Sequence, residues 1–190
     1  MYLKGNGVVR DDREALRWLK KAAEAGEPNG QYNLAAMYMQ GLGLPKDDAE
    51  AAKWMSRAAE QGSVDGQFGL GAMYAHGTGV PRDLSEAVRW YRKAAEQGHA
   101  GALNNLAFLL ATADDPKVRN TEEAIAVALR AVEASSEVPT YLDTLAVAYY
   151  EAGRYEDAVA AEEKALALDP GNGSYQKALG KYRAAAARHQ

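Results

Sequence analysis

Apolar positions recur along this chain at helical spacing, and the helices they predict recur in turn every 36 residues. From Asp11 to Ala25, the residues Ala15, Leu16, Leu19, Ala22 and Ala23 fall on one face. Asn29 to Gln40 carries Leu34, Ala35, Met37 and Tyr38, and Asp47 to Gln61 carries Ala51, Met55, Ala58 and Ala59. The pattern then returns over Asp65 to His76 and Asp83 to Gln97. Each second helix opens on an acidic pair at cap spacing: Asp11/Glu14, Asp47/Glu50 and Asp83/Glu86. A capping box is expected, with the Asp accepting from a first-turn amide and the Glu reaching back to the cap amide. Gly26, Gly62 and Gly98 close these helices. Gly41-Leu-Gly43-Leu-Pro45 and Gly77-Thr-Gly79-Val-Pro81 break the chain between the two helices of a copy.

The stretch from Gly62 to Gly98 is one full unit, with Trp18, Trp54 and Trp90 in phase across three copies. Such a period predicts stacked helix pairs, because one pair cannot bury its apolar face alone. The expected fold class is all-α, a right-handed α-α superhelix built as a solenoid of antiparallel helix pairs. Met1-Tyr2 stands 36 residues before Met37-Tyr38. Either the chain starts within a longer array or the natural N-terminus lacks a first helix, and on both readings the inner face of the next helix is expected to lack its partner. Beyond Ala100 the letters drift. Asn104 to Ala111 is a helix without the Met-Tyr pair, and a longer loop leads to Asn120/Glu123 and a helix to Ser135. Tyr141 to Tyr150 and Glu156 to Leu168 form a pair with a spacing of 34, from Ala124 to Ala158 and Ala131 to Ala165. Gly173 to Gln190 is a single amphipathic helix with Tyr175, Ala178, Leu179 and Tyr182 inward, suited to close an array.

These residues carry a resemblance. Leu-x-x-Met-Tyr, Gly-x-Gly-Val/Leu, Asp-x-x-x-Ala-x-x-Trp and Ala-Ala-Glu-x-Gly recur in phase, and the first three copies, residues 1–98, resemble Sel1-like repeats, the first incomplete. Residues 139–171 resemble a tetratricopeptide repeat through Leu142, Leu145, Ala146, Tyr149, Ala158, Ala165 and Pro170. Glu162 departs from that pattern, since an aromatic or aliphatic residue is usual there. Residues 99–138 read as a bridging copy and 172–190 as a capping helix. The resemblance implies a protein-interaction scaffold or adaptor rather than a catalyst.

Composition narrows the partner. Residues 1–98 hold 13 basic and 13 acidic side chains and residues 99–190 hold 9 and 13, so neither half offers the basic stripe that nucleic acid requires. No apolar run approaches the ~20 residues of a membrane span, and no signal peptide opens the chain. With no cysteine, compartment stays unassigned.

Candidate chemistry is sparse. The Gly-x-Gly loops lack the preceding strand and third glycine of a dinucleotide site, so they read as loop geometry. His76, His99 and His189 are too far apart in sequence to form a helical metal pair. The carboxylates serve caps and solvated faces, the tryptophans read as packing, and neither enzyme activity nor a cofactor is expected. The remaining candidate is the concave face lined by the first helix of each pair. Phase against Leu34, Leu70, Leu106 and Leu145 places there Tyr32, Asn33, Phe68, His76, Asn104, Asn105, Phe108, Asp143 and Tyr150. Asparagine can bond a peptide backbone in either sense and aromatics supply anchor area. The expected function is binding of a peptide or protein segment in this groove. The alternatives are a structural role through self-association at the N-terminal face and an adaptor part of a larger enzyme or signalling protein.

Overall fold

A computed structural model describes residues 12–189. The Met1-Tyr2 pair and the Asp11 cap lie outside the described residues. Ten helices follow one another among those described. They are α1 (Asp12–Glu24), α2 (Pro28–Gln40), α3 (Asp48–Glu60), α4 (Val64–His76), α5 (Leu84–Glu96), α6 (Ala100–Thr112), α7 (Thr121–Ala134), α8 (Pro139–Glu151), α9 (Tyr155–Leu168) and α10 (Gly173–Ala186). The chain divides into two compact units after Ala94.

The helix starts follow the expected caps in part. Asp47 Oδ1 accepts from the Glu50 amide, Asp83 Oδ1 from the Glu86 amide and Asn120 Oδ1 from the Glu123 amide. The return half of the box does not form at Asp47 and Asp83. Their own amides donate instead to the carbonyls of Tyr38 and Tyr74 on the preceding helix, at 3.0 Å each. Glu50 is then spent on Lys53 at 2.7 Å, and Glu86 on Arg89 at 2.6 Å and the Trp90 indole at 3.2 Å. Tertiary contact outbids the local reach-back because it satisfies two main-chain groups with one bond. Observed boundaries otherwise lie close to the expected ones, except that α6 begins at Ala100 rather than Asn104. The His99 side chain caps it, Nδ1 accepting from the Ala102 amide at 3.0 Å.

In the first unit, α1 to α4 pack consecutively and α2 also touches α4. Small residues set how closely. A Cβ on Gly30 would lie 2.8 Å from the Ala22 Cβ, and one on Gly66 would lie 3.0 Å from the Ala58 Cβ. Across these close approaches run two buried glutamines. Gln31 Nε2 donates to the Ala23 carbonyl at 3.2 Å, and Gln67 Nε2 to the Ala59 carbonyl at 3.3 Å. Each adds a second bond to an end-of-helix carbonyl that the following glycine amide, Gly26 or Gly62, also meets. The core holds Leu70, Met55, Met73 and Trp90 among buried alanines, with Tyr32, Met39 and Trp54 partly buried against it.

In the second unit, α6 packs on α7 and α8, and α8–α9 and α9–α10 follow. Leu142, Ala165 and Tyr175 form a buried cluster there. Tyr175, Leu179 and Tyr182 of α10 are buried as expected, while Ala178 is only half-buried.

Candidate functional site

The first unit holds a cavity of about 410 Å³ between the inner faces of α2 and α4. Helix α2 contributes Tyr32, Ala36, Met39 and Gln40. Helix α4 contributes Asp65, Phe68, Gly69, Ala72, Met73 and His76. Met55 of α3 and Thr78 of the following loop complete the wall. Helical spacing explains the set: positions 65, 68/69, 72 and 76 lie on one stripe of α4, turned away from the stripe that holds Leu70 in the core. The Phe68 ring rests on Tyr91 of α5, with centroids 5.8 Å apart, so its packing is fixed from behind.

Of the expected residues, Tyr32, Phe68 and His76 line this one cavity. Asn33 does not join them. Its amide donates to the Asn29 carbonyl of its own helix at 2.8 Å, a local bond open to any asparagine one turn on. His76 is exposed at the rim, at the end of α4.

In the second unit the expected residues fall on α6 and α8. On α6, Phe108 is 47% exposed, and Asn104 Oδ1 is buried without a hydrogen-bond partner. Its amide is 3.5 Å from Asn105 Oδ1. On α8, Tyr150 is engaged by its own unit. Its ring lies 4.9 Å from Tyr182 and 5.5 Å from Tyr155, and Lys181 Nζ sits 3.9 Å above it. Asp143 faces Glu162 of α9 across the helix pair. Burial pushes the Asp143 carboxyl above its usual range. Glu162 is fully buried, and its protonated form shares a hydrogen bond with Asp143. Burial first, then the Asp143 charge, pushes it up to about 8. Tyr175 and Tyr182 of α10 also sit within reach of this acidic pair, and burial raises both.

Two features were not foreseen from sequence: the glutamine bonds and the cavity floor. The glutamines had a signal, since Gln31 and Gln67 are 36 apart, but a repeated polar letter does not announce burial. The tryptophans divide. Trp90 is 4% exposed within the core, and Trp54 packs partly buried with Arg57 4.3 Å above its ring. Trp18 is 52% exposed, with Lys21 5.0 Å from its ring. Among the described residues no group of three or more metal-ligating side chains occurs. Among the described residues no helix is long and apolar enough to cross a membrane.

Helix pairs in register, with glycine loops between them, define a helical repeat solenoid. The Sel1 repeat pattern matches residues 1–27, 28–63 and 64–99, more than half of the 190 residues, and the chain belongs to the Sel1 repeat family. Among solved structures it is similar to c5321, a protective antigen of uropathogenic Escherichia coli displaying an SLR fold. Identity is 35%, the TM-score is 0.79, and 95% of this chain is covered against 38% of that one. A Sel1 repeat protein from Oxalobacter formigenes matches with 28% identity and a TM-score of 0.76, covering 93% of this chain and 72% of that one. MamA from Desulfovibrio magneticus RS-1 shares the fold, with 20% identity, a TM-score of 0.61 and coverage of 94% and 88%. The chain thus spans well under half the length of the E. coli antigen. No curated protein matches it. Proteins with this fold are typically protein-interaction scaffolds rather than enzymes.

Proposed function

We propose that this chain is a non-enzymatic scaffold or adaptor whose first unit holds a peptide or protein segment along the inner faces of α2 and α4. One observation carries the reading. Tyr32 and Phe68, from neighbouring repeats, are each only partly buried and converge on the same apolar cavity. Partly buried aromatics on a firm backing are the residues that supply anchoring energy in interfaces. A benzophenone side chain at Gln40, on the rim, is expected to crosslink a partner in the native cell. The same group at Lys53, exposed on α3, is not. Phe68→Ala should abolish the Gln40 crosslink while leaving the far-ultraviolet melt nearly unchanged. Crosslinking that is as strong at Lys53, or indifferent to Phe68→Ala, sinks the reading.

Trp18 supports a second reading. Its counterpart Trp90 is 4% exposed, whereas Trp18 is 52% exposed. The face of α1 is then a docking surface of its own, for a second copy of the chain.

A further inference from the structure

The cavity sits where one repeat departs from both neighbours at an inward position, Gly69, and keeps at Ala72 the alanine that the preceding copy has at Ala36. Asn33 of α2 corresponds to Gly69 of α4 and to Asn105 of α6, each 36 residues on. Ala72 corresponds likewise to Phe108. At Gly69 a Cβ would lie 2.8 Å from the Met55 thioether sulfur, so the missing side chain lets Met55 reach up and form part of the cavity wall. Met39 and Met73 also line it. Unbranched thioethers adapt to a variety of apolar shapes and favour aromatic edges. The lining has one carboxylate, Asp65, exposed in the first turn of α4, and neither lysine nor arginine. From Gly69 to Asp65 is four residues of helix, ~6 Å. Two residues of extended peptide span about 7 Å.

We infer that Gly69 sets the specificity of this cavity, which takes a large apolar side chain (leucine, methionine or phenylalanine) of a peptide carrying lysine or arginine within two positions of that anchor. The inference rests on the groove reading above and adds the partner's chemistry. The acidic rim meets the cation, and the methionine-lined floor meets the anchor.

The probe is a library of random twelve-residue peptides displayed on phage and selected on the full chain. Enriched peptides should pair a large apolar residue with a nearby basic one. Gly69→Asn, borrowing the residue of the two neighbouring copies, should weaken a selected peptide at least tenfold. Ala72→Phe, borrowing Phe108, should do the same, which guards against one variant failing to fold. Asp65→Asn should cost several-fold and flatten the salt dependence, and Lys53→Ala should leave binding unchanged. Selected peptides with no apolar-basic pairing, or full affinity in folded Gly69→Asn and Ala72→Phe, overturn the inference. If Phe68→Ala still abolishes crosslinking at Gln40 in that event, the groove reading stands and only the assigned chemistry falls. If Phe68→Ala is silent as well, both fall.

Discussion

Glu162 shows how much one side chain can set. It is wholly buried and faces the Asp143 carboxyl, with which its protonated form shares a hydrogen bond. A carboxyl in such a place is held protonated, with its titration pushed up to about 8. The folded protein therefore binds a proton that the unfolded chain releases above the ordinary carboxylate range. Its contribution is fully present at acidic pH and is lost as pH rises through about 8, at ~1.4 kcal/mol per pH unit over the window. Urea unfolding followed by circular dichroism should show stability falling between mildly acidic and mildly alkaline pH. Glu162→Leu, which supplies the aliphatic residue expected there, should flatten that slope and add about 2–4 kcal/mol at alkaline pH. An unchanged slope in this variant would place the pH dependence elsewhere. Asp143, expected on the inner face, is thus half of a buried pair as well as a surface residue. Tyr150, expected beside it, is packed among Tyr155, Tyr182 and Lys181.

At the scale of elements, the loop after α4 shows why the Gly-x-Gly pattern recurs. The Gly77 amide closes α4 on the Met73 carbonyl in a left-handed cap. Gly79 has φ +69°, and a Cβ there would sit 1.9 Å from the Asp48 carbonyl oxygen at the start of α3. The loop lies on the preceding repeat with no room for a side chain, so the pattern serves stacking. Gly79→Ala should cost about 2–4 kcal/mol, combining the left-handed strain with a main-chain collision. A thermal melt within a degree or two of wild type would show that the loop can lift away. The glutamines act between elements in the same way. Gln31 takes the Ala23 carbonyl and itself accepts from Gln61 at 2.7 Å, tying α1, α2 and the end of α3. In the second unit the corresponding position is Leu103, and the Ala95 carbonyl is met instead by Arg130 at 3.3 Å. The repeat keeps the bond and changes the donor.

At the scale of the molecule, all three tryptophans lie in the first unit, at positions that differ in accessibility. In single-tryptophan variants, acrylamide should quench Trp18 several-fold more strongly than Trp90, as their exposures of 52% and 4% require. If the α1 face docks a second copy, light scattering should report a dimer, and Trp18→Ala should shift it toward monomer. A monomer at all concentrations with Trp18 freely quenched leaves the groove as the binding surface. Net charge of −4 and the even balance of the first 98 residues are consistent with a partner chosen by shape and local charge rather than by a long-range field.

The sequence by itself determined the helices, their pairing and the glycine loops. Each is a short-range matter of period, cap and turn chemistry, and a 36-residue repeat states it again in each of the first three copies. It placed Tyr32, Phe68 and His76 on one inner face, because helical phase alone decides that. Only the tertiary structure decided that these three share a cavity, that Asn33 turns back to Asn29, and that Met55 enters through the gap at Gly69. Those outcomes depend on how closely α3 and α4 approach, and that distance is set by atoms from both helices. The burial of Glu162 opposite Asp143 and of the two glutamines against end-of-helix carbonyls has the same origin. A polar letter looks alike in the sequence whether it meets water or another helix, and packing alone separates the two.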